Sequence, residues 1–156
     1  VGGDTLFANL YKAYESLSDG MRRLLDSLTA INSSRKADAV RTREDRVQEA
    51  DDAQGNEEFV SEHPVVRTHP ETGRKALYVN VAHTQRFGGM TEEESAPLLH
   101  FLYGHCAKPE FTCRFSWRPG SIAIWDNRCA LHNPVNDYDG YLRVMHRITL
   151  KGDTPR

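Results

Sequence analysis

Three side chains toward the C-terminal end have the types and spacing to do chemistry: the imidazole of His132 and the guanidinium groups of Arg143 and Arg147. In the run YLRVMHRITL, extended backbone puts Arg143, Met145, Arg147 and Thr149 on one face, with Leu142, Val144, His146 and Ile148 on the other. Arginines four residues apart on a strand stand roughly 13 Å from each other. Facing water, they would form an ordinary polar edge. Lining a barrel interior, they would demand anionic partners, because an unpaired buried charge is costly and the guanidinium fork suits a carboxylate or sulfonate. Periodicity alone leaves both readings open. His132 follows the short apolar run Ile122–Trp125 and the polar break Asp126-Asn127-Arg128, a setting that suits a structural histidine as well as a metal ligand. Trp125 reads equally as a core aromatic or as a wall beside a metal.

The chain has seven histidines, and one triplet, His69-Pro70-Glu71, has the H-x-[DE] form that supplies two ligands of a two-His-one-carboxylate iron site. It falls in a Pro/Gly turn, where polar residues are expected for conformational reasons, and the turn reading is preferred. The three cysteines, Cys106, Cys113 and Cys129, are odd in number and lack zinc-finger spacing. They read as reduced, mostly buried thiols of a cytoplasmic protein.

The elements that must position these groups follow from pattern. Asn9 and Ser18 are N-cap residues for two short helices carrying Leu10, Ala13, Tyr14 and Leu17, then Met21, Leu24, Leu25 and Leu28. Thr29 to Ser33 begins a strand. Val65–Thr68 and Ala76–Val81 flank the turn PETGR as a hairpin. Thr91-x-x-Glu94 is a capping box opening a helix that ends before Pro109. Phe111 to Trp117, Ile122 to Trp125 and Tyr141 to Leu150 read as strands. Strands and helices in no βαβ order predict an α+β domain on antiparallel sheet. Residues 41–58 contain only Val and two Ala as apolar residues and read as a solvated helix or mobile lid.

With 20 basic and 22 acidic residues the formal net charge is −2, which gives no electrostatic reason for a nucleic-acid partner. No apolar run approaches the roughly 20 residues of a membrane span. A homo-oligomer is compatible with the sequence. The chain opens on Val-Gly-Gly without Met or a signal-peptide layout, and is expected to be cut from a longer one.

Taken jointly, Gly2-Gly3-Asp4-Thr5, the HPVVRTHP run from His63 to Pro70, Trp125-Asp126-Asn127-Arg128, His132 and the RVMHR run from Arg143 to Arg147 resemble the taurine dioxygenase family of Fe(II)- and 2-oxoglutarate-dependent oxygenases. The resemblance runs in order over nearly the whole chain. It implies a double-stranded β-helix (jelly-roll) core with flanking helices. It also implies Fe(II) and O2 as cofactors, 2-oxoglutarate as cosubstrate, and hydroxylation of a small anionic substrate. By the same resemblance His132 is the distal iron-binding histidine, and Arg143 and Thr5 hold the far carboxylate of 2-oxoglutarate. Arg147 then takes the anionic head of the substrate.

Two departures accompany the match. The family's H-x-D metal pair lies upstream of the Gly-Gly-Asp-Thr segment. Residues 1–156 are therefore expected to be the C-terminal portion of one dioxygenase domain, with the N-terminal part missing and the fragment inactive alone. The alternative is a jelly-roll anion-binding module that lost its metal. Second, Ala37 and Asp38 follow Arg35-Lys36 where taurine-specific members carry a small residue and an aromatic, and His83 replaces a pocket phenylalanine. Another sulfonate, a sulfate ester or a carboxylate is then expected in place of taurine.

Overall fold

The computed structural model describes residues 2–34 and 58–155. Arg35, Lys36, Ala37, Asp38 and all but Glu58 of the 41–58 excursion lie outside the described residues, and so does the expectation of a lid.

The first strand, β1 (Thr5–Asn9), ends on a residue that also starts a helix. Asn9 is extended, and its side chain accepts a hydrogen bond from the Lys12 backbone N–H at 3.1 Å. That bond satisfies an orphan donor of α1 (Leu10–Glu15). Ser18 caps α2 (Asp19–Leu25) in the same way, accepting from Met21 N–H at 3.3 Å. Both caps agree with the sequence reading. α1 buries Leu10, Tyr11, Ala13 and Tyr14. In α2 Leu25 is buried while Leu24 is exposed, so its apolar face is narrower than the pattern suggests.

β2 (Thr29–Ser33) lies between β3 (Val60–Pro64) and β6 (Thr84–Phe87), antiparallel to both. The expected hairpin is present but shorter than predicted: β4 (Val66–Thr68) pairs with β5 (Lys75–Leu77), Val66 opposite Leu77. Its turn closes through Gly73 at φ +68°, a left-handed conformation that glycine adopts at little cost. The capping box is formed in full. Thr91 accepts from Glu94 N–H, and the Glu94 carboxylate accepts from Thr91 N–H at 2.8 Å, opening α3 (Glu92–Cys106). Pro97 sits inside α3, where it removes one backbone donor; burial of Leu99, Leu102 and Cys106 keeps the helix going. A 3-10 turn (Pro109–Phe111) leads into β7 (Thr112–Phe115), and β8 (Ala130–Pro134) follows a loop.

The sheet that matters for function has the order β7-β1-β8. Side chains directly opposite on antiparallel strands share a face. Thr5 stands opposite Phe115 and Pro134, and Phe7 opposite Cys113 and His132, so these six point one way. Ala8 and Leu131 pair on the other face; Ala8 is buried, and Leu131 is half-buried and packed against the core of α1, β4, β5 and α3. His105 ties α3 to α1 through Nε2, which lies 2.9 Å from the Ala13 carbonyl and 3.0 Å from Ser16 Oγ.

Two predicted strands are not strands here. Ile122–Trp125 and Tyr141–Leu150 carry no ladder among the described residues, and Ile124, Leu142 and Ile148 are each more than 90% exposed. A β pattern becomes a strand only when a neighbour takes its N–H and C=O groups, and no described strand lies beside either run. The alternation of Arg143 and Arg147 therefore fixes no common face.

The cysteines differ from one another, contrary to the expectation of mostly buried thiols: Cys106 is buried, Cys129 half-buried and Cys113 exposed. Burial pushes the Cys106 thiol up to about 12. Iodoacetamide at pH 8 should label Cys113 first and leave Cys106 unlabelled until the chain is unfolded in urea. Mass mapping of the modified cysteines checks this, and rapid native labelling of Cys106 would contradict it.

Candidate active site

β1 carries the site because it is the strand both β7 and β8 pair with. Thr5 is 5% exposed, and its Oγ1 accepts a hydrogen bond from Trp117 Nε1 at 2.9 Å. The hydroxyl has one hydrogen of its own, which this acceptance leaves available for donation. Two residues along on the same face, the Phe7 ring meets Trp125 at 5.2 Å between centroids, and Trp125 meets the His132 ring at 5.1 Å. Trp125 thus packs against both the Phe7 and the His132 rings. His132 is exposed on β8; partial desolvation first, then the charge of Arg147, lowers its pKa below the usual histidine value, which favours the neutral form in which a ring nitrogen can ligate a metal.

Arg143 is placed by the glycine pair. Gly2 and Gly3 have φ of +75° and +74°. A Cβ on Gly3 would stand 2.7 Å from Cδ and Nε of Arg143, so the absent side chain is the space the arginine occupies. Gly3 N–H donates to Asp137 Oδ1 at 2.6 Å, and the Arg143 guanidinium lies over the Tyr138 ring at 5.5 Å. Asp4 is held by Arg114 at 2.5 Å and Ser116 at 3.0 Å, which keep its carboxyl below the usual range. The segment before β1 is therefore fixed at three successive residues, with Arg143 on one side and Thr5 at its end.

Of the four residues singled out from sequence, Arg143 lies against Gly3, two residues before Thr5, and the charge of Arg147 bears on His132. Trp117, Tyr138 and Asp137 escaped the sequence reading. The glycine pair was the available signal for the last two, since consecutive left-handed glycines mark a close approach.

The H-x-[DE] triplet is a turn, as preferred from sequence. His69 is buried, and its Nδ1 accepts from the N–H groups of Glu71 and Thr72 at 3.3 Å. Among the described residues the one group of three side chains close enough to share a metal is His69, Asp126 and Cys129, which does not include His132. The described residues therefore offer one histidine, and not a complete triad, on the Trp125 face. Thr5 and Arg143 suit a carboxylate, and His132 suits one position of a metal's ligand set.

The comparisons give the family. The description "Taurine catabolism dioxygenase TauD, TfdA family" matches residues 1–149, and the chain belongs to that family. An alpha-ketoglutarate-dependent sulfate ester dioxygenase of Pseudomonas putida is 37% identical over 99% of this chain and 52% of its own length. A taurine dioxygenase structure from Burkholderia xenovorans superposes with a TM-score of 0.73 at 37% identity, covering 90% of this chain and 43% of that one. AAD-2, solved with Mn(II) and N-oxalylglycine, gives a TM-score of 0.79 at 27% identity, covering 99% and 59%. The expected jelly-roll fold class is borne out. The chain spans about half the length of the sulfate ester dioxygenase, or less for other curated relatives.

Replacing Gly3 by Ala should both strain the backbone, by about 1–2 kcal/mol for a left-handed non-glycine residue, and displace Arg143. Calorimetric binding of 2-oxoglutarate should weaken by about tenfold or more, the equivalent of roughly 1.4 kcal/mol. Unchanged affinity in a folded Gly3→Ala variant would contradict the cradle.

Proposed function

We propose that this chain is the cosubstrate- and anion-binding part of an Fe(II)- and 2-oxoglutarate-dependent dioxygenase acting on a small anionic organic substrate. The observation that carries the reading is the cradle at Gly3, which lodges Arg143 beside the segment ending in Thr5. Arg143 pairs with the distal carboxylate of 2-oxoglutarate through its two parallel N–H groups, and Thr5 donates its hydroxyl hydrogen to the same carboxylate. Trp117 orients that hydroxyl from the other side. His132, exposed on β8, supplies one iron ligand, its neutral form favoured by partial desolvation and by the charge of Arg147, with its ring packed against Trp125. Iron, when bound with the 2-oxo acid, supplies oxygen activation coupled to decarboxylation to succinate. Arg147 grips the anionic head of the substrate and sets which carbon is hydroxylated. Hydroxylation beside a heteroatom then releases an aldehyde and the anion.

The similarity to an enzyme named for sulfate esters supports a sulfonate or sulfate-ester substrate over an uncharged one. His83 lines a cavity of about 210 Å³ whose wall includes Asn32, Ser33, Ser61 and Tyr78. Ala37 and Asp38 lie outside the described residues and add nothing to this choice. A cytoplasmic location belongs to the same proposal and rests on the free thiols. Among the described residues no helix is long and apolar enough to cross a membrane.

The absence of a second ligand beside His132 among the described residues keeps one rival in view, an anion-binding jelly roll without a metal. In the complete enzyme, succinate release should depend on Fe(II) and on an anionic substrate, and Arg143→Ala should abolish it. Turnover retained in that variant would remove Arg143 from its role; 2-oxoglutarate binding without any Fe(II)-dependent turnover would favour the rival.

A further inference from the structure

The carboxylates of Asp126 and Asp153 take no part in binding cosubstrate or substrate, yet they stand at the two ends of the wall that does. Asp126 follows Trp125. Its Oδ1 accepts from Arg128 N–H at 2.8 Å and Nε at 2.9 Å, and its Oδ2 accepts from Arg128 Nη2 at 2.7 Å. The same Oδ2 lies 3.1 Å from Nε2 of the buried His69. Because His69 Nδ1 accepts two backbone N–H groups, Nε2 carries the hydrogen and donates to Asp126. Arg128 reaches on to Glu71 at 3.0 Å and lies 3.7 Å from Asp153.

Asp153, six residues beyond Arg147, accepts from Arg67 Nη2 at 2.8 Å. Arg67 is on β4, is 3% exposed, lies over the Tyr78 ring at 5.2 Å and leaves its Nε without a hydrogen-bond partner. A guanidinium so enclosed requires a counter-charge, and Asp153 supplies it.

These contacts converge on the β4–β5 hairpin. It holds the loop that leads into His132 through His69 and Asp126. It holds the end of the segment carrying Arg143 and Arg147 through Arg67 and Asp153. At its other end that segment is pinned by Val135 N–H on the Asp4 carbonyl at 2.8 Å and by Asp137 on Gly3. Between the pins it has no ladder to hold it.

We propose that His69, Arg67, Arg128, Asp126 and Asp153 form a positioning clasp that fixes the loop before β8 and the Arg143–Arg147 segment relative to the β4–β5 hairpin. The proposal rests on the roles given above to His132, Arg143 and Arg147. His69, Asp126 and Cys129 lie within 4.8 Å of one another, as metal ligands would. The geometry nevertheless favours the clasp: the His69 lone pair is already used by two backbone donors, and a cation would have to displace Arg128 from Asp126. Each group of the clasp acts through another residue, and none touches a reacting atom.

The test is nitrogen-15 relaxation on this chain, which needs no ligand. In the unmodified protein, amides 146–153 should give order parameters near the rigid value of about 0.85. Asp153→Asn should lower them to below about 0.6 while β1 and β8 stay unchanged, and Asp153→Glu should restore them. A role in global stability alone would instead loosen β1 and β8 in parallel. Unchanged values at 146–153, or a uniform drop, overturns the proposal. If Asp153→Asn does not fold, the pair Arg67→Met with Asp153→Asn removes the stranded charge and should fold with the same segment loosened; failure of the pair to fold also overturns it. Loss of the functional roles would appear as turnover retained in Arg143→Ala, leaving these order parameters untouched.

Discussion

The placement of β1 between β7 and β8 is the constraint on which the rest depends. One register, Phe7 opposite His132 and Thr5 opposite Pro134, puts a hydroxyl and an imidazole on the same face two residue steps apart. A slip of one residue would turn Thr5 and Phe7 into the core and Ala8 out of it. That register turns the buried Ala8 and the half-buried Leu131, which packs against the core, to one face, and leaves the other for Thr5, Phe7 and His132. A strand that ends by capping a helix through Asn9 cannot slide without losing the cap.

Charge does the second part of the positioning. Asp4, Asp137, Asp126 and Asp153 each hold a named cation or backbone donor, and each lies at an end of a stretch that carries a binding residue. Arg128 first, then His69, keeps the Asp126 carboxyl far below its ordinary range. Arg147 has no such partner in the contacts described, and its charge instead reaches His132.

Local signals in the sequence carried well. The Asn9 and Ser18 caps, the capping box at Thr91 and the PETGR hairpin each join residues three to eleven apart, so composition and spacing suffice to read them. The runs Ile122–Trp125 and Tyr141–Leu150 failed as strands for the converse reason: alternation states which faces a strand would have, not whether a partner is present. The site was divided along the same line. His132, Arg143, Arg147 and Thr5 were legible through family resemblance, whereas Trp117 on Thr5 and Asp153 on Arg67 join residues 112 and 86 positions apart, and no local pattern encodes them. The His69 triplet shows the reverse error to avoid, a ligand-like spacing whose nitrogen is already spent on its own turn.

The central claim is that Arg143, lodged against Gly3, recognises the distal carboxylate of 2-oxoglutarate. The most direct measurement compares calorimetric affinities for 2-oxoglutarate and 2-oxobutyrate, which lacks that carboxylate, in the unmodified protein and in Arg143→Ala. A charge-assisted bond of about 1.5–3 kcal/mol predicts a preference for 2-oxoglutarate of roughly tenfold to a hundredfold that disappears in the variant. A preference of the same size in Arg143→Ala would contradict the account.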